Sequence, residues 1–109
     1  MIKHMVKMGN NIVMWSESVL AHQSVIEDNV FLSIQCVVSG FCNIGEYSFL
    51  GANCIIKDNV KTGKINIVGS DAVVVKDMQE GRLLVGVPAK PESKSSFEVY
   101  NVTEDWLFT

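Results

Sequence analysis

Large apolar residues recur at every sixth position through the middle of the chain: Met14, Leu20, Ile26, Leu32, Val38, Ile44, Leu50, Ile56, Val68 and Val74, with Thr62 the one polar member. Two residues ahead of each stands a smaller one: Ile12, Ser18, Ser24, Val30, Cys36, Cys42, Ser48, Cys54, Val60, Asn66 and Ala72. Glycine follows the apolar position at Gly45, Gly51, Gly63 and Gly69. A fixed short period marks a solenoid, and a period of six predicts a parallel β-helix. Each hexapeptide supplies one short strand and one turn, so three close a triangular coil of about eighteen residues. The aliphatic side chain points inward, and a compact neighbour keeps the narrow core from overfilling. Glycine after the apolar position is expected to take up positive φ at the turn. An ordinary antiparallel sheet would not keep this period without an insertion.

The pattern predicts a solenoid from about Asn10 to Lys76. Met1–Gly9 is either a strand or an arm. Gln79-Glu80-Gly81 reads as a turn, Leu83-Leu84-Val85 as a last strand, and Pro91 to Ser96 as a polar linker. Phe97–Val102 is a short strand candidate, and Trp106-Leu107-Phe108 forms an apolar end. The expectation is one all-β domain, 1–109, with the β-helix and its closing segment over 10–90 and a C-terminal tail over 91–109.

Residues just before the apolar position point outward, and they sort into three faces. One carries Val13, Phe31, Phe49 and Ile67; a second carries Val19, Val37, Ile55 and Val73; the third carries Val25, Asn43 and Lys61. Two faces are thus apolar on the outside, which predicts a homotrimer that covers them. Composition agrees, since hydrophobic residues make up 48% and charged ones only 19%. A net charge of −3 gives no basic patch for nucleic acid. No apolar run is long enough to span a membrane, and no cleavable signal opens the chain. Three cysteines without a paired motif suit a reducing cytoplasm, and they fall in the small-residue register as structural thiols. No His or Cys pair has zinc spacing, and His4 and His22 are the only histidines, so no metal is expected within one chain.

The stretches Gly9-Asn10-Asn11, Ala21-His22-Gln23-Ser24-Val25-Ile26-Glu27-Asp28-Asn29-Val30-Phe31, Val38-Ser39-Gly40, Ile44-Gly45, Phe49-Leu50-Gly51-Ala52 and Gly86-Val87-Pro88-Ala89-Lys90 resemble the hexapeptide-repeat acyltransferases. Within them the chain is most similar to sugar O- and N-acetyltransferases of the sialic-acid type. The resemblance implies a left-handed winding, against the usual right-handed crossover. It also implies transfer of an acetyl group from acetyl-CoA, held between subunits, to an amine or hydroxyl of a sugar-like small molecule.

In that family the histidine of this motif deprotonates the acceptor, a role that maps onto His22. Gly40, eighteen residues on, stacks at the same corner, and its N–H is the candidate donor to the thioester oxyanion. Ala52 and Ser70 match positions whose backbone contacts the pantetheine arm. Lys76, Pro88 and Lys90 lie where the family holds the nucleotide end of CoA. Phe31 matches a position that touches the acetyl group. Two departures stand out. Gln23 replaces the acidic residue that often follows the histidine, and the solenoid begins without the Rossmann-like domain that relatives usually carry. Without that domain the acceptor site must differ, or be built by Met1–Met8 and the tail Phe97–Thr109. The short length and Gln23 favour the alternative reading, a non-catalytic β-helix trimer acting as scaffold or degenerate acyltransferase; His22, Gly40 and Pro88-Ala89-Lys90 argue against it.

Overall fold

The computed structural model describes residues 1–100, and within them the six-residue period becomes a triangular parallel solenoid of about four coils. Two-residue strands fall at every repeat from Lys7–Met8 to Val73–Val74. Each pairs in parallel with the strand eighteen residues away, as Val19 with Val37 and Phe31 with Phe49. Three flat ladders result. The first, here the valine face, stacks Val19–Leu20, Val37–Val38, Ile55–Ile56 and Val73–Val74. The polar face stacks Lys7–Met8, Val25–Ile26, Asn43–Ile44 and Lys61–Thr62. The aromatic face stacks Val13–Met14, Phe31–Leu32, Phe49–Leu50 and Ile67–Val68, then Arg82–Val85 and Lys90–Ser95.

The core is a column of the expected residues. Leu20, Ile26, Leu32, Val38, Ile44, Leu50, Ile56, Val68 and Val74 are sealed from solvent, with Cys36, Cys54 and Ala72 filling the space beside them. Asn66 is one of several buried polar residues, and both ends of its amide are bonded. Its Nδ2 donates to the Gly63 carbonyl at 2.9 Å, and its Oδ1 accepts from the Arg82 N–H at 2.7 Å. Buried polar groups are tolerated when bonded in this way.

The first coil starts within the lead segment. Ile2 bridges Leu20 in parallel, and the Lys3 N–H donates to the Leu20 carbonyl at 2.8 Å. Ile2 and Met8 extend the six-residue period to the N-terminus, which is why this segment winds as solenoid.

Glycine plays a different part from the expected one. Positive φ falls three residues after the apolar position, at Met5, Asn11, Glu17, Gln23, Asn29, Gln35, Phe41, Tyr47, Asn53, Asn59, Ile65 and Asp71. Gly45 and Gly51 sit instead where adjacent coils touch. A Cβ on Gly45 would lie 2.4 Å from the Gly63 backbone, and one on Gly51 2.7 Å from the Val68 carbonyl. Close approach between coils, not backbone conformation, demands glycine there.

The far end also departs from expectation. The polar linker is a strand, Lys90–Ser95, antiparallel to Arg82–Val85. An end strand leaves one edge of backbone groups unpaired, and the returning chain covers it. Phe97 begins no strand; Ser96–Tyr100 is a short helix whose Ser96 hydroxyl donates to the Ile65 carbonyl. Residues 101–109, with Trp106, Leu107 and Phe108, lie outside the described residues.

Candidate active site

One corner of the prism, between the valine and polar faces, carries His4, His22, Gly40, Asp58 and Lys76 in a single column. Each stands two residues after an apolar position, so the coil places them directly above one another. Backbone bonds fix the stack: Gln23 N–H to the His4 carbonyl at 3.1 Å, Phe41 N–H to the His22 carbonyl at 3.2 Å, and Asn59 N–H to the Gly40 carbonyl at 3.0 Å. His22 is exposed, whereas Gly40 is buried beneath it. A Cβ on Gly40 would lie 3.3 Å from His22 Nε2 and 3.5 Å from Cε1. The missing side chain is therefore the floor on which the imidazole rests. Phe41 meets the ring edge-on, with centroids 5.4 Å apart and planes at 87°. Such a contact orients the ring and leaves one edge open.

The Gly40 N–H does not face open space. It donates to Asp58 Oδ1 at 2.9 Å, so in this arrangement the expected oxyanion donor is occupied. The cause is the repeat itself: a carboxylate one coil further along the same corner reaches the N–H of the coil before. Asn10 N–H donates to Asp28 Oδ1 in the same way at 2.7 Å. Gln23 makes no side-chain hydrogen bond to His22 among the described residues.

The remaining expected site residues are spread around the prism. Ala52 and Ser70 share the corner between the aromatic and valine faces, across the valine face from His22. Among the described residues neither donates its backbone N–H to a protein acceptor. Lys76 lies three coils beyond His22 on the same corner, about 14 Å away at the usual strand spacing. Pro88 and Lys90 flank the closing segment that caps the valine face, where Ala89 N–H donates to the Val73 carbonyl at 2.7 Å and Val73 N–H to the Gly86 carbonyl at 3.0 Å. Ser70, Lys76 and Pro88 thus gather at one end of that face.

Phe31 is on the aromatic face, opposite the corner that carries His22. It stacks on Phe49 at 5.0 Å and 7°, and meets Trp15 tilted, at 6.2 Å and 49°. With Ser33 and Ile34 these rings line a shallow apolar depression of ≈ 300 Å³. Within one chain Phe31 does not meet His22.

The sequence reading passed over Lys3, His4 and Phe41. The signal was the eighteen-residue step: His4 precedes His22 by one coil, and Phe41 follows Gln23 by one. The cysteines are free and buried. Contact with Cys36, then burial, holds the Cys54 thiol far above its ordinary range. Burial, joined by the Asp58 charge, pushes Cys42 up as well. Neither is a nucleophile at neutral pH.

Residues 23–58 match the family model described as bacterial transferase hexapeptide (six repeats). No curated protein matches the sequence. Among solved structures, the chain is similar to the perosamine N-acetyltransferase of Caulobacter crescentus in complex with CoA and GDP-perosamine. The identity there is 25% and the TM-score 0.57, over 84% of this chain and 53% of that one. The UDP-N-acetylglucosamine O-acyltransferase of Moraxella catarrhalis shares the fold at 21% identity and TM-score 0.76, over 94% of this chain and 41% of that one. The serine acetyltransferase of Neisseria gonorrhoeae does so at 22% and 0.73, over 91% and 43%. The chain spans about half or less of the length of these proteins. About a third of the chain thus matches the hexapeptide-repeat model, and the chain as a whole shares its parallel β-helix with the transferases just named.

Proposed function

We propose that the chain is the subunit of an acetyl-CoA-dependent acetyltransferase acting on an amine or hydroxyl of a sugar-like small molecule. The observation that carries this reading is the seating of His22: an exposed imidazole on a glycine floor, braced by Phe41, beside open space. A ring so placed can take the proton of an incoming nucleophile as it attacks the thioester carbon. The carbonyl oxygen gains charge in that step, and the CoA thiolate leaves as the tetrahedral intermediate collapses. Gly40 could donate its N–H to that oxygen only by exchanging it from Asp58. Its more direct service is the space it leaves for His22.

A left-handed homotrimer completes the reading. Three triangular prisms around a threefold axis cannot lie flush, because their faces leave wedges of about 60°. If the corner of Ala52 and Ser70 faces the axis, each wedge has the valine face of one copy and the aromatic face of the next as walls. The exposed Val13 and Ile55 would be covered, and Phe31 of one copy would reach a cleft rimmed by His22 of its neighbour. The pantetheine arm would run past the N–H groups of Ala52 and Ser70, with Lys76, Pro88 and Lys90 at the nucleotide end.

Gln23 and the occupied Gly40 N–H favour a second reading, a trimeric scaffold without catalysis. Thermal denaturation with acetyl-CoA separates the two. An acetyltransferase gains stability by mass action as acetyl-CoA exceeds its Kd, whereas a scaffold melts at the same temperature with and without it. A monomer mass at micromolar concentration in sedimentation equilibrium would remove the shared cleft.

A further inference from the structure

The space beside His22 has walls of a distinctive kind. It is an open depression of ≈ 500 Å³ formed by Lys3, His4, Met5, His22 and Gln23, and so by two adjacent coils only. The first coil is fastened to the second through the Lys3 N–H and the His4 carbonyl described above. Lys3 therefore stands over Ala21, His4 over His22 and Met5 over Gln23.

No carboxylate lines this depression. Asp58 is two coils beyond His22, on the far side of Gly40, with one oxygen already accepting the Gly40 N–H. The ion pair among the described residues is Lys64 with Glu80, at another corner, and no described carboxylate pairs with Lys3. The contrast with the neighbouring corner is sharp. There a depression of ≈ 290 Å³ is lined by Lys7 together with Glu27, Asp28 and Glu46. In a chain of net charge −3, the one beside His22 is thus a local cationic site, rich in donors and free of acids.

We infer that this depression binds an anionic group, a carboxylate or phosphate, carried by the acceptor. Lys3 supplies the charge, while His4 and the Gln23 amide supply hydrogen bonds. The inference rests on the acetyltransferase reading of His22 and adds the substrate class to it. Coil spacing sets the geometry: the anion sits over the first coil and the nucleophile at His22, about one to two strand spacings away, or about 5–10 Å. A six-carbon amino sugar with an acid at its far end has that span. The first coil is then the specificity element of the site, and His22 the reacting one.

The test uses the full chain and matched ligands: glucosamine, glucosamine 6-phosphate, glucosaminuronic acid and inorganic phosphate. Ring proton resonances of His4 and His22 are followed by NMR during titration without acetyl-CoA. The expected result is saturable shifts of both rings with the phosphorylated or carboxylated sugar, at a Kd at least tenfold below that of glucosamine. Lys3→Gln should weaken the anionic sugars about tenfold, Lys3→Glu should weaken them further, and His4→Gln should weaken them without removing the His22 shift. Whichever of the phosphate and carboxylate sugars binds tighter identifies the acid. Inorganic phosphate alone should bind weakly and compete with the sugar.

Equal Kd for charged and uncharged sugars, or indifference to both Lys3 variants, overturns the inference. Failure of the underlying reading looks different: charge-selective binding would persist while acetyl-CoA turnover was absent for every acceptor. Turnover without charge preference would leave the acetyltransferase standing and remove this site.

Discussion

Two corners of the prism share a backbone and differ in chemistry. At the corner between the polar and aromatic faces, Asn10 gives its N–H to Asp28 in the next coil. At the corner between the valine and polar faces, Gly40 gives its N–H to Asp58 in the same way. The residues after the two upper members, Asn11 and Phe41, both take φ near +60°. The two columns differ in their side chains. Above Gly40 stands a histidine, seated where a Cβ on the glycine would come within 3.3 Å. The repeat builds the same ledge many times, and single side chains decide which ledge could do chemistry. Fold and site are therefore separable by mutation.

The largest expected effect on that contrast comes from glycine. Gly45→Ala drives a Cβ into the Gly63 backbone at 2.4 Å, with nothing flexible to yield. Unfolding by urea should show a loss of about 3 kcal/mol, the upper range for overpacking. Gly40→Ala meets only the imidazole at 3.3 Å, so the ring shifts instead. Stability should hold within about 1 kcal/mol, while acetyl transfer falls by at least about tenfold because a catalytic group is displaced. Equal stability losses for the two variants would erase the distinction between inter-coil contact and ring seat.

A smaller effect separates the two aspartates. Asp58→Ala and Asp28→Ala each remove one acceptor from a backbone N–H, costing about 1 kcal/mol in a solvated setting. Only Asp58→Ala frees the Gly40 N–H, so only that variant should alter turnover, and a higher kcat would restore Gly40 as an oxyanion donor. Matching kinetic effects from both would show that the corners are not functionally distinct.

The smallest effect tests the core. Thr62 is the polar member of the apolar column, buried with a hydroxyl that has no partner. Thr62→Val keeps the shape and removes the orphan group, so stability should rise by about 1 kcal/mol with no change in turnover. A loss of stability would mean that the hydroxyl is bonded in solution.

Much of the fold was legible because a solenoid is nearly one-dimensional. Leu20 predicts the place of Val38 by counting alone, and the three faces follow from the same count. Counting failed where the count stopped. Lys90–Ser95 reads as linker because both sides of that strand are polar, and only pairing with Arg82–Val85 makes it a strand. The glycine pattern was visible but its cause was not, since φ and close approach leave the same residue in a sequence. At the site, the step of eighteen brought His22, Gly40 and Asp58 together. Whether the Gly40 N–H is occupied depends on the rotamer of Asp58, and no spacing encodes that. Phe31 and His22 lie on different sides of one chain, a separation that motif matching does not register.

His22→Ala is the most direct test of the central claim, measured as CoA thiol release from acetyl-CoA with an acceptor that the unaltered chain acetylates. The expected result is a fall of roughly 10²–10⁴-fold in turnover. The melting temperature and the shift on adding acetyl-CoA should both stay near those of the unaltered chain, because the imidazole is exposed and the cofactor contacts lie elsewhere. Undiminished turnover by His22→Ala would contradict the claim, and collapse of the fold would make His22 a structural residue.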